Sequence, residues 1–268
     1  MTKKALCVGI NDYPLGEEND LKGCVNDAND WANLLRNHYD FTDVKQLLNN
    51  EATKANIVAG IKDLLAGASD GDVLVFTNAS HGTYLADDNK DEPKFDEAIC
   101  PHDTDSNLLV DDELRKLFLN IPKGVRLTVI SDSCHSGSVT RVTNPNDKYR
   151  RNRQLHPSIL KNRVLSDKEM KEAQQNARAK KEKFPESGMN EILLSGCKSN
   201  QTSADAYIAD DYHGAMSYHA IKAITDAGYN LTYQELHDAL LPVLEAENYT
   251  QEPQLEGKDE NKQRQIFT

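Results

Sequence analysis

Four short, almost uninterrupted apolar runs, each closing on polar residues, restrict this chain more than any other feature. They cover residues 4–10, 72–77, 126–132 and 191–196. Runs of that length between turn residues suit strands buried on both faces. The segments between them carry the helical period instead. One helix is expected from Asn26 or Asp27, either of which can cap it, to about His38, with Trp31, Leu34 and Leu35 on its apolar side. A second is expected over 53–66, with Ile57, Ile61 and Leu64 or Leu65 on one face, and others near 215–226 and 233–244. This alternation predicts an α/β fold with a mainly parallel central sheet flanked by helices on both faces.

With 268 residues, 38% of them hydrophobic, the chain can bury one substantial core. No apolar run approaches the roughly 18 residues of a membrane span, and the first ten residues lack the apolar stretch of a secretory signal. The five cysteines, at 7, 24, 100, 134 and 197, are odd in number and form no Cys-x-x-Cys pair. A disulfide framework and a zinc ribbon are therefore not expected, and a reducing, cytoplasmic setting is. A net charge of -12 argues against nonspecific nucleic-acid binding. The charge is uneven, however: residues 141–185 hold 13 Lys and Arg against 5 Asp and Glu. The strand pattern also stops there, leaving one exposed helix expected over 167–183 and nothing that resembles core. The chain thus divides into residues 1–140, a basic insertion at 141–189 that is mobile or cleaved, and residues 190–268.

Two of the expected strands end in reactive tips, Ala79-Ser80-His81-Gly82 and Asp132-Ser133-Cys134-His135-Ser136-Gly137. Ligands of open α/β sheets bind beyond the carboxyl ends of strands, so the two tips can converge on one site. A lone strand-end cysteine is usually a small buried hydrophobe. Paired with a histidine 53 residues upstream, it becomes a candidate nucleophile with its acid-base partner. His135 is a rival base, but neighbours on extended chain point to opposite sides, which favours His81.

At these residues the chain resembles the metacaspases and their bacterial relatives, the orthocaspases, among the caspase-like cysteine peptidases. The matching pieces run almost end to end. They include Gly9-Ile10-Asn11-Asp12-Tyr13, Leu21-Lys22-Gly23-Cys24-Val25-Asn26-Asp27-Ala28, Ser80-His81-Gly82 and Asp132-Ser133-Cys134-His135-Ser136-Gly137. Asp96-Glu97-Ala98-Ile99-Cys100-Pro101-His102-Asp103, Ser195-Gly196-Cys197-Lys198, Gln201-Thr202-Ser203-Ala204-Asp205, Gly214-Ala215-Met216-Ser217 and Gln251-Glu252-Pro253-Gln254-Leu255 complete the pattern.

The resemblance implies a caspase-like fold and a cysteine endopeptidase. Cys134 would attack the scissile carbonyl, His81 would handle the protons, and the N–H groups of Gly82 and Cys134 would hold the oxyanion, each donor worth about 3 kcal/mol. Asp27 and Asp132, with Cys24, match the acidic pocket that accepts Arg or Lys before the cut. A helix cap and a turn are the plainer roles for the two aspartates. Arg150, Arg151, Arg153, Arg163 and Lys181 are then candidate self-cleavage sites in a zymogen, or sites for an upstream protease. Ala79 departs from the family pattern by lacking a pocket hydroxyl. Asp96, Asp111 and Asp112 match a calcium site of some members, but Arg141 replaces a further carboxylate, so no cofactor is required and calcium activation is the less favoured outcome. Partners would be protein or peptide substrates, with no nucleic acid or membrane, and the chain would be monomeric. A catalytically silent scaffold and a caspase-fold protease with another residue preference stay open as alternatives.

Overall fold

The computed structural model describes residues 1–86, 95–105, 107–119, 121–134, 149–160, 188–198 and 201–268, with residues 85, 86, 95 and 96 described at the backbone only. In chain order the elements begin with β1 (Lys3–Gly9), α1 (Cys24–His38), β2 (Asp43–Leu48), α2 (Lys54–Leu65) and β3 (Val73–Ala79). Next come β4 (Gly82–Ala86), β5 (Phe95–Ile99), β6 (Leu109–Val110), α3 (Asp111–Phe118), β7 (Arg126–Asp132) and β8 (Arg150–Asn152). The chain closes with β9 (Ile192–Ser195), β10 (Ala204–Ile208), β11 (Asp211–Gly214), α4 (Ala215–Asp226), α5 (Tyr233–Ala246), β12 (Gln254–Glu256) and the short α6 (Asp259–Lys262).

The central sheet has the order β12-β9-β7-β3-β1-β2, parallel throughout except where β12 runs against β9. Alternate residues of its inner strands feed two separate cores, as the strand period of two requires. Ala5, Cys7, Val73, Val75 and Ile130 face one side, where Trp31, Leu34 and Leu35 of α1, Met216 and Ile224 of α4, and Leu236 and Leu240 of α5 cover them. Leu6, Val8, Leu74, Phe76, Leu127 and Val129 face the other, against Ile57, Ile61 and Leu64 of α2. The apolar runs and helical faces of the sequence therefore become a sheet covered on both sides, as expected.

Register fixes where the reactive tips lie. Ala79 of β3 pairs with Gly9 of β1 and with Asp132 of β7, so three strands end at one level. His81 and Cys134 each sit two residues past that level. Helix α1 crosses close above the same edge: a Cβ at Gly9 would lie 2.8 Å from the Ala28 Cβ.

Two expectations need correction. Helix α1 starts at Cys24 with Gly23 at its cap, and neither Asn26 nor Asp27 caps it. Asp27 is buried in the first turn, where a different partner holds it. Nor is the basic insertion wholly without core. Residues 149–160 form β8 and a short 3-10 turn, and they bury Arg153, Leu155, Pro157 and Leu160. The chain is pinned there because β8 pairs antiparallel with β10, and Leu155 and Leu160 join the α2-side core. The helix expected over 167–183, Arg163 and Lys181 lie outside the described residues.

Candidate active site

Residues 150–155 run through the cleft at the carboxyl ends of β3 and β7 as an extended peptide. Asn152 pairs with Ala204 and Arg151 with Asp205. The Arg153 N–H donates to the Ser203 carbonyl at 3.0 Å, and beyond it the Leu155 N–H donates to the Gly82 carbonyl at 3.0 Å. Between these anchors, the Arg153 carbonyl oxygen accepts the N–H of Gly82 at 3.0 Å and that of Cys134 at 3.2 Å. One peptide carbonyl is thus gripped by the two donors singled out in the sequence.

The Arg153 side chain is fully buried. Its Nη2 lies 2.6 Å from Asp27 and 3.0 Å from Asp205, and its Nη1 lies 3.3 Å from the Asp132 carboxylate and 3.1 Å from the Asp132 carbonyl. The three carboxylates are themselves tied down. Asp27 accepts the Gly214 N–H, Asp132 accepts the N–H and hydroxyl of Ser217, and Asp205 accepts the N–H groups of Lys22 and Gly23. Three fixed carboxylates around a site sealed from water form a receptor for a cation, because an uncharged occupant would leave them unpaired. Cys24 is buried close enough to feel Arg153 and all three carboxylates. Ala79, where the hydroxyl is missing, packs with Leu21 and Cys24.

His81 Nε2 lies 2.7 Å from the Asn19 carbonyl, which can only accept, so Nε2 carries the proton. That tautomer leaves Nδ1 as a bare lone pair, and it is buried with no hydrogen-bond partner. The ring packs 5.0 Å from that of Tyr13, whose hydroxyl accepts the His81 N–H. Burial, reinforced by the Arg153 charge, pulls the imidazole down to about 4, despite the opposing pull of the Asn19 carbonyl. Burial also pushes the Cys134 thiol well up, with Cys197 adding to the shift. The Ser203 N–H points at Cys134 Sγ from 2.5 Å. With the segment seated, both groups are uncharged at neutral pH.

Sequence reasoning thus named His81, Gly82, Cys134, Cys24, Asp27 and Asp132, and the structure gathers all six around Arg153. It missed Asp205, although Asp205 lies within one of the matching stretches. Asp111 and Asp112 open α3, while the side chain of Asp96, together with Arg141 and His135, lies outside the described residues. Among the described residues no group of three or more His, Cys, Asp or Glu could hold a metal ion.

A family model for the metacaspase peptidase C14 domain matches residues 3–143. The metacaspase-1 proteins of Meyerozyma guilliermondii and Pyricularia oryzae are each 32% identical to this chain over 94% of its length, covering 68% and 71% of their own. The chain belongs to the metacaspase family. Among solved structures, protein GSU0716 from Geobacter sulfurreducens matches with a TM-score of 0.74 at 25% identity, covering 100% of this chain and 99% of that one. Caspase-1 from Spodoptera frugiperda matches with a TM-score of 0.56 at 10% identity, over 95% of this chain and 86% of its own, and so supports the caspase-like fold. This metacaspase is accordingly a member of a cysteine peptidase family, and its substrates are proteins or peptides.

The two histidines beside the cleft set opposite limits on stability. His81 resists protonation when folded, so its contribution is complete above its unfolded value near 6.5 and is lost as pH falls from there through about 4. The loss amounts to about 3 kcal/mol at most. Burial opposes charge on His213 too, but Asp27 and Asp30 outweigh it and lift that group to about 9. Its contribution is complete below about 6.5 and is lost as pH rises through 9. Urea midpoints measured from pH 4 to 10 should therefore peak near neutrality, and His81→Asn should flatten the acid side. An acid side unchanged in that variant would contradict the buried neutral imidazole.

Proposed function

We propose that this metacaspase is a cysteine endopeptidase that cuts after Arg or Lys, and that it is made as a zymogen whose own Arg153–Gln154 bond occupies the active site. One observation carries the reading: the same residue presents its carbonyl to Gly82 and Cys134 and its guanidinium to Asp27, Asp132 and Asp205. In the proposed reaction His81 Nδ1 takes the Cys134 thiol proton, and the sulfur bonds to the carbonyl carbon of Arg153. The two N–H groups hold the oxygen as it gains charge. The carbon–nitrogen bond to Gln154 then breaks, the amine leaving with the proton from His81. Water, deprotonated by His81, releases the acyl group and restores the thiol. No step requires a cofactor.

Arginine suits the pocket best because its fork reaches three carboxylates at once, whereas lysine offers one compact charge. Of the candidate cleavage sites, Arg153 is the one seated for the reaction. Arg150 and Arg151 lie upstream of it on β8, with Arg151 Nη1 donating to the Asp20 carbonyl at 2.6 Å. A cytoplasmic, reducing location agrees with five buried free cysteines, and no helix among the described residues is long and apolar enough to cross a membrane.

Intact-mass analysis of purified wild type and Cys134→Ala tests the proposal. Wild type should yield a new amino terminus at Gln154 and turn over peptides ending in Arg or Lys, with Asp or neutral endings at least 100-fold slower. Cys134→Ala should stay whole and lose at least 1,000-fold in turnover. Identical masses and rates for the two proteins would leave a silent scaffold as the better account.

A further inference from the structure

The seated segment also fills a second pocket, three residues ahead of Arg153. The Arg150 guanidinium carbon lies 4.3 Å from the centre of the Tyr249 ring. Its Nη1 donates to the Asn248 carbonyl at 3.2 Å and its Nη2 to the Glu247 carbonyl at 3.1 Å. Those carbonyls belong to the turn that ends α5, where the helix dipole is negative and the last carbonyls lack helical partners. Asn248 takes a left-handed conformation, with φ of 60°, as the chain reverses there. Tyr249 is nearly buried in the α5-side core, and its N–H donates to the Leu244 carbonyl, so the platform is rigid. Glu247 and Asn248 remain exposed, so an incoming peptide can reach the rim.

We infer that Tyr249 and the carbonyls of Glu247 and Asn248 form a specificity subsite for an arginine side chain three residues before the cleaved position. The inference rests on reading residues 150–155 as bound substrate. The strand pairing of β8 with β10 supplies the register, setting Arg150 opposite Ala206 while Arg153 enters the carboxylate pocket. The ligand is a guanidinium rather than any cation. A planar fork can lay its face on the ring while its edge donates to both carbonyls, whereas an ammonium that donates to the same carbonyls has no flat face to stack on Tyr249.

Coumarin-releasing peptides acetyl-Arg-Ala-Asn-Arg, acetyl-Lys-Ala-Asn-Arg and acetyl-Ala-Ala-Asn-Arg, offered to self-processed wild type, test the subsite. The first should exceed the third about tenfold in kcat/KM, with the second between them. In Tyr249→Leu, which keeps an apolar side chain in the core, the tenfold ratio should fall to threefold or less. A wild-type ratio within twofold of one, or a ratio unchanged in Tyr249→Leu, overturns the inference. Absence of turnover on all three peptides would instead count against the proposed protease. The subsite is then read without catalysis, in the uncut Cys134→Ala chain by amide exchange at residues 150–152. Adding Arg150→Ala should speed that exchange at least fivefold and Arg150→Lys less, and equal rates in all three proteins overturn the subsite.

Discussion

Replacing Arg153 with alanine should stop self-cleavage after residue 153 by more than 100-fold and should also destabilise the chain. The second effect follows from what the guanidinium leaves behind. Asp27, Asp132 and Asp205 stay buried and anchored by neighbouring donors but lose the cation that faces them. Removing one partner from a buried ion pair typically costs about 3–5 kcal/mol. For a chain of this size that corresponds to a fall in Tm of about 10 °C. The stability loss should be reversible from outside, because the empty receptor can take a small guanidinium or amidinium. Millimolar methylguanidine or benzamidine should return much of the lost Tm by binding the folded state alone, and urea, which is neutral, should not. Arg153→Lys should keep the cut at a rate reduced by about tenfold. A Tm for Arg153→Ala within 2 °C of wild type, or one that ignores both ligands, would contradict the buried ion cluster.

A single methyl group should have a comparable effect on cleavage. Gly214 has an ordinary extended backbone, with φ of -70° and ψ of 131°, so alanine strains nothing locally. A Cβ there would nevertheless collide with the Arg153 guanidinium and the Asp132 carboxylate. Asp132 is held in the pocket wall by Ser217, so the guanidinium, as the pocket's occupant, is the group that must give way. Gly214→Ala should therefore expel the arginine head and lower both self-cleavage and turnover of arginine peptides by more than 100-fold. Far-ultraviolet circular dichroism should remain that of wild type. Full activity in this variant would mean that the pocket lies elsewhere.

The inner strands were legible because burial on both faces writes itself as continuous apolar sequence. Edge elements carry no such mark. β2 is only half-buried, β8 is a three-residue strand whose partner β10 lies about fifty residues further along the chain, and β10 and β11 form a short hairpin. His81 and Cys134 could be found because their types and the strands before them announce a reactive site. Arg153 could not be told from the other basic residues of the insertion. Its burial is made tolerable by three carboxylates from separate segments, and no local pattern encodes that meeting. Asp205 was hidden for the same reason, whereas Asp27 was placed in the acidic pocket by the family resemblance, its position near a helix start offering capping as the competing local use.

Leu155, Pro157 and Leu160 anchor the stretch that follows the cut residue, and the Thr83 hydroxyl donates to the Leu155 carbonyl at 2.9 Å. Breaking the bond before Gln154 severs none of these holds. The nicked molecule should accordingly travel as one particle under native conditions and part into two bands only in denaturant. Its freshly made amino terminus stays moored at the threshold of the catalytic groove, so emptying that groove for outside clients is a separate event from the cut itself, timed by how readily this apolar mooring slips.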